Sequence, residues 1–387
     1  TKNGKAKQQF KRDLWVLAQI GRQLHARISG RSEDPRQSPV QWEERLRQAR
    51  VLQIARTGPA QYTFPWALVY HHALPLENAA QWKYCDVLEE WSAEGERQGQ
   101  DRRLCPVEER EGKPHGEGIL CPYGFWGLRH MIEQPLAAYS LGSDSLQDTP
   151  DCFQPGSNPA LAIGATADPE LDLRQLQAHL HRVATDLGGG VHVVAPGPNP
   201  ADTAAGVRAI LADCEIAYFI CHGEDDEGRT EPYIGVGLRD RDPAHRIYPT
   251  SIAEWRTTQE PPNLQRWVSA HPLVFINGCH TAELMPGSML NFVNQFGQAR
   301  ASGVLGTEVS IRLPLATEVA ESLLRRVVGG APVGQALYEV RWELANKGNL
   351  LGLAYTYYGL IGPGAAVSGG AAPRASAATA ELALADG

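Results

Sequence analysis

From residue 160 onward, six short apolar runs alternate with stretches of helical periodicity, and that alternation restricts the fold more than any other feature. The runs fall at 160–165, 191–195, 216–221, 273–276, 303–311 and 351–357. The third, Ile216-Ala-Tyr-Phe-Ile-Cys221, has no polar residue facing either way. A strand of that kind needs cover on both faces, which antiparallel meanders seldom provide and βαβ units do. Between the runs, Leu173, Leu176, Leu180 and Val183 repeat at helical spacing, and Gly188–Gly190 stop that helix. Segment 201–212 places Val207, Ile210 and Leu211 on one side, and 289–301 reads as a further helix. Segment 314–328 turns Val319, Ala320, Leu323, Leu324 and Val327 inward, and the next helix begins at Pro332, a residue suited to a first turn. The expected fold is α/β: a mainly parallel six-stranded sheet flanked by helices on both faces.

The 387 residues exceed one ordinary compact domain, so a second module is expected upstream. The expected division is an N-terminal module at 1–141, a linker at 142–159 rich in Ser, Asp, Pro and Gly, the α/β domain at 160–362, and a disordered Ala/Gly/Ser tail at 363–387. Leu14, Leu17, Leu24 and Ile28 predict a helix over 11–28, closed by Gly30. The first 56 residues hold 13 Lys and Arg against 5 acids, in a chain of net charge −8. That basic start reads as a solvated helical face, or as a docking surface for an acidic partner. Segment 64–70 reads as a short buried strand or turn, and 94–115 as a polar surface loop.

The acidic balance, with pI about 5.9, gives no general attraction to nucleic acid. No run of 18 apolar residues occurs, so no membrane span is expected. Seven cysteines at irregular spacing do not form a disulfide framework and point to a reducing compartment. Thr1 with no apolar signal segment after it reads as a piece of a cytoplasmic protein.

In an open parallel sheet, sites form beyond the carboxyl ends of the strands. Two runs end there in reactive side chains beside glycine: Cys221-His222-Gly223, and Asn277-Gly278-Cys279-His280. If the two strands are neighbours, His222 and Cys279 come together, as nucleophilic catalysis requires. An imidazole can take the thiol proton or stabilise the thiolate, which is scarce at neutral pH for an unperturbed cysteine. The amides of Gly223 and Cys279 could then face a developing oxyanion. Alternate residues of a strand face opposite ways, so His280 is not expected to share the role.

Segments Ala217-Tyr-Phe-Ile-Cys-His-Gly223 and Leu273-Val-Phe-Ile-Asn-Gly-Cys-His-Thr281, together with Gly303-Val-Leu-Gly-Thr307, resemble a CHAT domain. The helix carrying Gly334, Ala336, Leu337 and Arg341 and the closing Tyr357-Tyr358-Gly359 fit the same pattern. CHAT domains are a bacterial branch of the caspase-like cysteine peptidases, which include separases and clostripain-type enzymes. Upstream, Pro65-Trp66-Ala67-Leu68 and Cys121-Pro-Tyr-Gly-Phe-Trp-Gly127 resemble segments that precede the domain in related proteins. The resemblance implies Cys279 as nucleophile, His222 as its base or imidazolium, backbone oxyanion donors at Cys279 and Gly223, and no cofactor. It implies a protein substrate and control by an upstream sensor or activating partner in a bacterial defence or cell-death-like response. It makes the N-terminal module helical or partly pseudo-symmetric with the peptidase half. Many relatives carry an acid after the nucleophile, whereas here His280 follows. The family's pocket for the residue before the scissile bond maps to Asp168, with Glu170, and to Glu308, where acids would favour Arg or Lys. Surface acids are the plainer reading of both. Asp225, Asp226 and Glu227 read as loop charges.

Two other functions fit the same residues: a scaffold that keeps a protease-like fold, and a small-molecule Cys/His amidohydrolase. No metal is expected. Cys105 and Cys121, with His115 between them and Cys85 upstream, lack the close Cys pair common in zinc sites. His71-His72 and His179/His181 read as surface or cap residues, and Trp126 as core.

Overall fold

Apolar side chains at Phe10, Leu14, Ala18 and Ile28 give the N-terminal helix a buried stripe, and the rest of the first module gathers on it. The computed structural model describes residues 2–29, 46, 49–54, 64–75, 80–88, 104–136, 152–156, 159–166, 171–187, 190–194, 203–226, 231–237, 243–278, 286–307, 309 and 311–361. In chain order the first module comprises α1 (Lys2–Ser29), β1 (Val51–Gln53), β2 (Lys83–Tyr84), α2 (Pro106–Glu111), β3 (Ile119–Leu120), α3 (Trp126–Arg129) and β4 (Met131–Glu133). β1 pairs with β4 and β2 with β3, both in parallel. Segment 66–68 is a 3-10 turn, and Tyr70 bridges Phe125. The expected surface loop at 94–115 is not one where it is described. Its residues from Leu104 on include α2, and Cys105 and Glu108 are buried.

The remaining elements are β5 (Leu161–Ala165), α4 (Leu173–Asp186), β6 (Val191–Val194), α5 (Thr203–Leu211), β7 (Ile216–Asp226), β8 (Glu231–Gly235), β9 (Arg246–Ile247), α6 (Pro249–Thr257), α7 (Trp267–Ala270), β10 (Leu273–Gly278), α8 (Pro286–Gln298), β11 (Gly303–Thr307), α9 (Leu313–Val328), α10 (Val333–Asn346) and β12 (Tyr355–Gly359). The main sheet runs β12-β11-β10-β7-β5-β6, and only β12 is antiparallel to its neighbour. The six expected strands are all present. Several borders move, the fifth strand ending at Thr307 rather than 311, and three of the shifts have identifiable reasons. The third strand continues past Cys221 because its polar end pairs with β8 rather than with apolar neighbours. The sixth begins at Tyr355, since 351–354 forms a 3-10 turn. Pro332 caps α10 from outside the helix instead of occupying its first turn.

Alternation on each strand builds two cores. Ile216, Tyr218 and Ile220 face α4, α9 and α10 with Leu273 and Phe275, while Ala217, Phe219 and Cys221 face α5, α7 and α8 with Val274 and Ile276. The two modules share a boundary. Trp342 of α10 is buried in the N-terminal core and donates its indole N–H to Leu128 O at 2.8 Å. Gly127 permits the approach: a Cβ there would lie 2.7 Å from Ala67 Cβ and from Leu353. No helix among the described residues is long and apolar enough to cross a membrane.

One polar cluster is buried under the sheet. Asn277, fully buried on β10, donates to Tyr218 Oη at 3.2 Å and to Ala316 O of α9 at 2.7 Å, and accepts from Tyr355 Oη at 2.9 Å. Tyr218 therefore turns its own proton to His179 Nε2, 3.0 Å away, and His179 donates from Nδ1 to Glu321 at 2.8 Å. The sequence reading of His179 and of His72 as surface residues is overturned, because both are buried. His71 is committed as well: its Nε2 accepts from Arg129 at 2.9 Å and its Nδ1 donates to Gly124 O at 2.8 Å.

These contacts carry two predictions. Asn277→Leu keeps the volume but takes one hydrogen-bond partner each from Tyr218 Oη, Tyr355 Oη and Ala316 O, so denaturant unfolding should show a loss of roughly 2–4 kcal/mol. The second concerns acid. Burial, then Arg22, lowers His25 to about 4. Burial, then His72, Arg129 and His130, holds His71 well below its ordinary value. Burial lowers His179 too, against the opposing pull of Glu321. All three bind protons more readily when unfolded, so their contribution is complete above the unfolded value near 6.5 and is lost as pH falls. Unfolding free energies from urea titrations should fall between about pH 7 and about pH 5, by up to about 1.4 kcal/mol per pH unit for each histidine.

Candidate functional site

The carboxyl edge of the main sheet is set by the pairing of β7 with β10. The strands run parallel, with Asn277 opposite Ile220 and Gly278 opposite Cys221. His222 follows directly in β7. Cys279, the next residue after Gly278, lies outside the described residues, as does His280. Just before that point Asn277 ties β10 to β7 through Tyr218, to α9 through Ala316 and to β12 through Tyr355. The end of β10 is therefore held from three directions.

Beyond Cys221, β7 leaves the main sheet and forms a hairpin, with His222 opposite Gly235 and Gly223 opposite Ile234. β5 ends on the same flank. Thr166 N–H donates to Ile220 O at 2.9 Å, and Gly237 N–H to Ala165 O at 2.9 Å. The hairpin thus takes over where β5 stops. Among the described residues no strand pairs with the opposite flank of 222–226, the one that continues past the end of β10. Gly223 thus sits within the hairpin, two residues after Cys221, the last residue of β7 to pair with β10. Asp225 and Asp226, expected as loop charges, belong to the paired strand instead, opposite Pro232 and Glu231. The acids expected to line a pocket, Asp168 with Glu170 and Glu308, lie outside the described residues, as does Glu227. They follow the ends of β5 and β11 respectively, and β5, β7, β10 and β11 end as consecutive neighbours of one sheet.

The N-terminal module repeats this arrangement on a smaller scale. β2 and β3 run parallel with Tyr84 opposite Leu120, so Cys85 and Cys121 are the residues that follow each strand. Cys85 N–H donates to Leu120 O at 2.8 Å. Cys105 caps α2 from its N-terminal side, and Gly112, at φ 65°, turns the chain back toward His115. His115 N–H donates to Glu108 Oε1 at 2.9 Å. The sulfurs of Cys85, Cys105 and Cys121 and a ring nitrogen of His115 all lie within 4.8 Å of one another, with Cys85 Sγ and Cys105 Sγ 3.6 Å apart. All three cysteines are buried. Burial pushes the Cys121 thiol up, while the thiols of Cys121 and Cys85 hold Cys105 low. Burial lowers His115, but the Cys105 and Cys85 sulfurs outweigh it and raise the imidazole to about 10. Sequence spacing argues against these four residues as a group; the parallel pairing of β2 with β3 joins what the spacing separates.

No protein-family model matches the chain. It is 31% identical over 388 aligned positions to a probable protease of Vitiosangium sp. (strain GDMCC 1.1324), an alignment that covers 94% of this chain and 46% of that protein. The chain thus spans about half the length of the curated relative it matches. Among solved structures it is similar to the Saccharomyces cerevisiae separase–securin complex. The 2.6 Å structure gives 15% identity and a TM-score of 0.32, over 52% of this chain and 12% of that one. The 3.0 Å structure gives 14% identity and a TM-score of 0.34, over 60% and 14%.

Proposed function

We propose that this chain is the peptidase-bearing part of a cysteine endopeptidase, with Cys279 as nucleophile and His222 as its acid–base partner. The observation that carries the reading is the parallel register of β7 and β10, which pairs Cys221 with Gly278 immediately before the two residues. Alternation adds support. In the numbering, 222 shares the parity of Tyr218 and Ile220, and 279 that of Phe275 and Asn277, four residues that face α9. The 31% likeness to a probable protease across nearly the whole chain is consistent with it.

The chemistry needs no cofactor. His222 accepts the thiol proton, and the sulfur of Cys279 attacks the peptide carbonyl to form a tetrahedral oxyanion. Backbone N–H groups at Cys279 and Gly223 stabilise that charge. His222 returns the proton to the leaving amine, and water then hydrolyses the thioester to release the acyl product and the thiol. An extended substrate can lie along the flank of 222–226 with which no strand pairs among the described residues, as an added β-strand. Asp168 and Glu308 are proposed to favour Arg or Lys before the scissile bond. Cysteine usage adds a cytoplasmic setting, composition a 1–141 accessory module ahead of a 160–362 peptidase domain, and the family resemblance control by a sensor or partner in a bacterial defence or cell-death-like response.

An acyloxymethyl-ketone probe should label Cys279 in the activated protein, and Cys279→Ala and His222→Ala should abolish labelling. Peptide turnover should fall by at least about 10³-fold in each. Unchanged turnover in Cys279→Ala rejects the nucleophile. No label in any activated state favours a scaffold, and turnover of small amides without protein cleavage favours an amidohydrolase. A second set of variants tests the pocket. Glu308→Gln and Asp168→Asn should each cut kcat/KM for Arg and Lys reporters roughly 10-fold while sparing uncharged ones. Equal rates across reporters would make both acids surface groups.

A further inference from the structure

We infer that Cys85, Cys105, Cys121 and His115 form a structural zinc site that ties the N-terminal module together. Geometry is the first argument. Four ligands at zinc's usual distances, about 2.3 Å to sulfur and about 2.0 Å to nitrogen, sit at the corners of a tetrahedron with edges near 3.8 Å. Cys85 Sγ and Cys105 Sγ are 3.6 Å apart, and no pair among the four ligand atoms exceeds 4.8 Å. That separation is far beyond the roughly 2.05 Å of a disulfide, so the sulfurs are close without being bonded.

The donor set is the second argument. Three thiolates and one imidazole suit zinc, and soft sulfur donors exclude calcium and magnesium. All four coordination positions come from the protein, and the cysteines are buried, so no position is left open for water or substrate. Such a closed site stabilises rather than catalyses. His115 Nε2 is buried without a hydrogen-bond partner, a cost that a nearby cation would offset. Three thiols packed together without a metal would also be an unusual use of a core.

The surroundings explain what the metal would hold. Cys121 N–H donates to Tyr70 Oη at 2.9 Å, and Tyr70 Oη donates to Cys121 O at 3.1 Å. Tyr70 N–H in turn donates to Gly21 O of α1 at 3.1 Å. Ligands from the ends of β2 and β3 and from both sides of α2 would thus be fastened to one another, and through the hydrogen bonds of Tyr70 to α1. Strands of only two residues cannot hold such a module by their own pairing. Zinc uptake would displace the thiol protons and add its binding energy to folding.

The full chain, purified in reductant without chelator, should carry one zinc per chain by plasma mass spectrometry and keep it through dialysis. Cys105→Ser and Cys121→Ser should lose it, and Cys152→Ser, outside the cluster, should keep it. Should the first two fail to fold, the wild-type protein still decides. Cobalt exchanged into it should give intense sulfur-to-metal bands and tetrahedral visible bands, and zinc X-ray absorption should fit three sulfurs at about 2.3 Å and one nitrogen. Wild-type protein that binds no zinc when refolded with it overturns the proposal. So does a Cys85–Cys105 disulfide in the native protein, or a first shell dominated by oxygen.

Discussion

Asn277 is the point on which the carboxyl edge of the main sheet depends. Its amide uses both hydrogens and its oxygen on groups from β7, β12 and α9, with no water needed to complete the set. In a low-dielectric interior such a network is strong when every member is satisfied and costly when one is missing. It also propagates. Because Asn277 fills the acceptor side of the Tyr218 hydroxyl, that hydroxyl must donate to His179, whose other nitrogen must then donate to Glu321. A chain of forced proton positions therefore runs from the end of β10 to the solvent side of α9, where Arg182 closes it on Glu321. The register of β7 against β10 is fixed by backbone pairing and locked by this side-chain network.

The same device recurs in the N-terminal module. Two short parallel strands end side by side, and the residue after each is a cysteine. In the main sheet the corresponding positions are His222 and Cys279. Parallel pairing brings together residues that are remote in sequence at the ends of adjacent strands, here those of the proposed peptidase site and those of the proposed metal site. The modules join through α10, whose Trp342 enters the N-terminal core while Val340 and Leu344 serve the main one. A boundary drawn along the sequence therefore crosses a shared core.

Apolar patterning is the legible part of this chain. The six apolar runs become the six strands, because burial on both faces leaves no polar position to disguise them. Trp126 is buried, as expected of an aromatic amid apolar neighbours. Polar residues are harder to place. His71, His72 and His179 resemble surface groups in the sequence because no adjacent residue partners them; Gly124, Glu108 and Glu321, which do, come from distant segments. The continuation of β7 to Asp226 is hidden for the same reason, since its pairing with β8 uses backbone and leaves no hydrophobic trace.

By itself, the sequence determined the class of fold, the order of its strands along the chain and the residue types at the strand ends. Those follow from hydrophobic periodicity, which is local and acts on every residue. Only the tertiary structure decided which strands are neighbours, that Gly278 stands opposite Cys221, and that three cysteines and a histidine from four separate segments share one small volume. Such facts depend on chain closure over long separations, where the deciding interactions join residues that carry no mark of one another in the sequence.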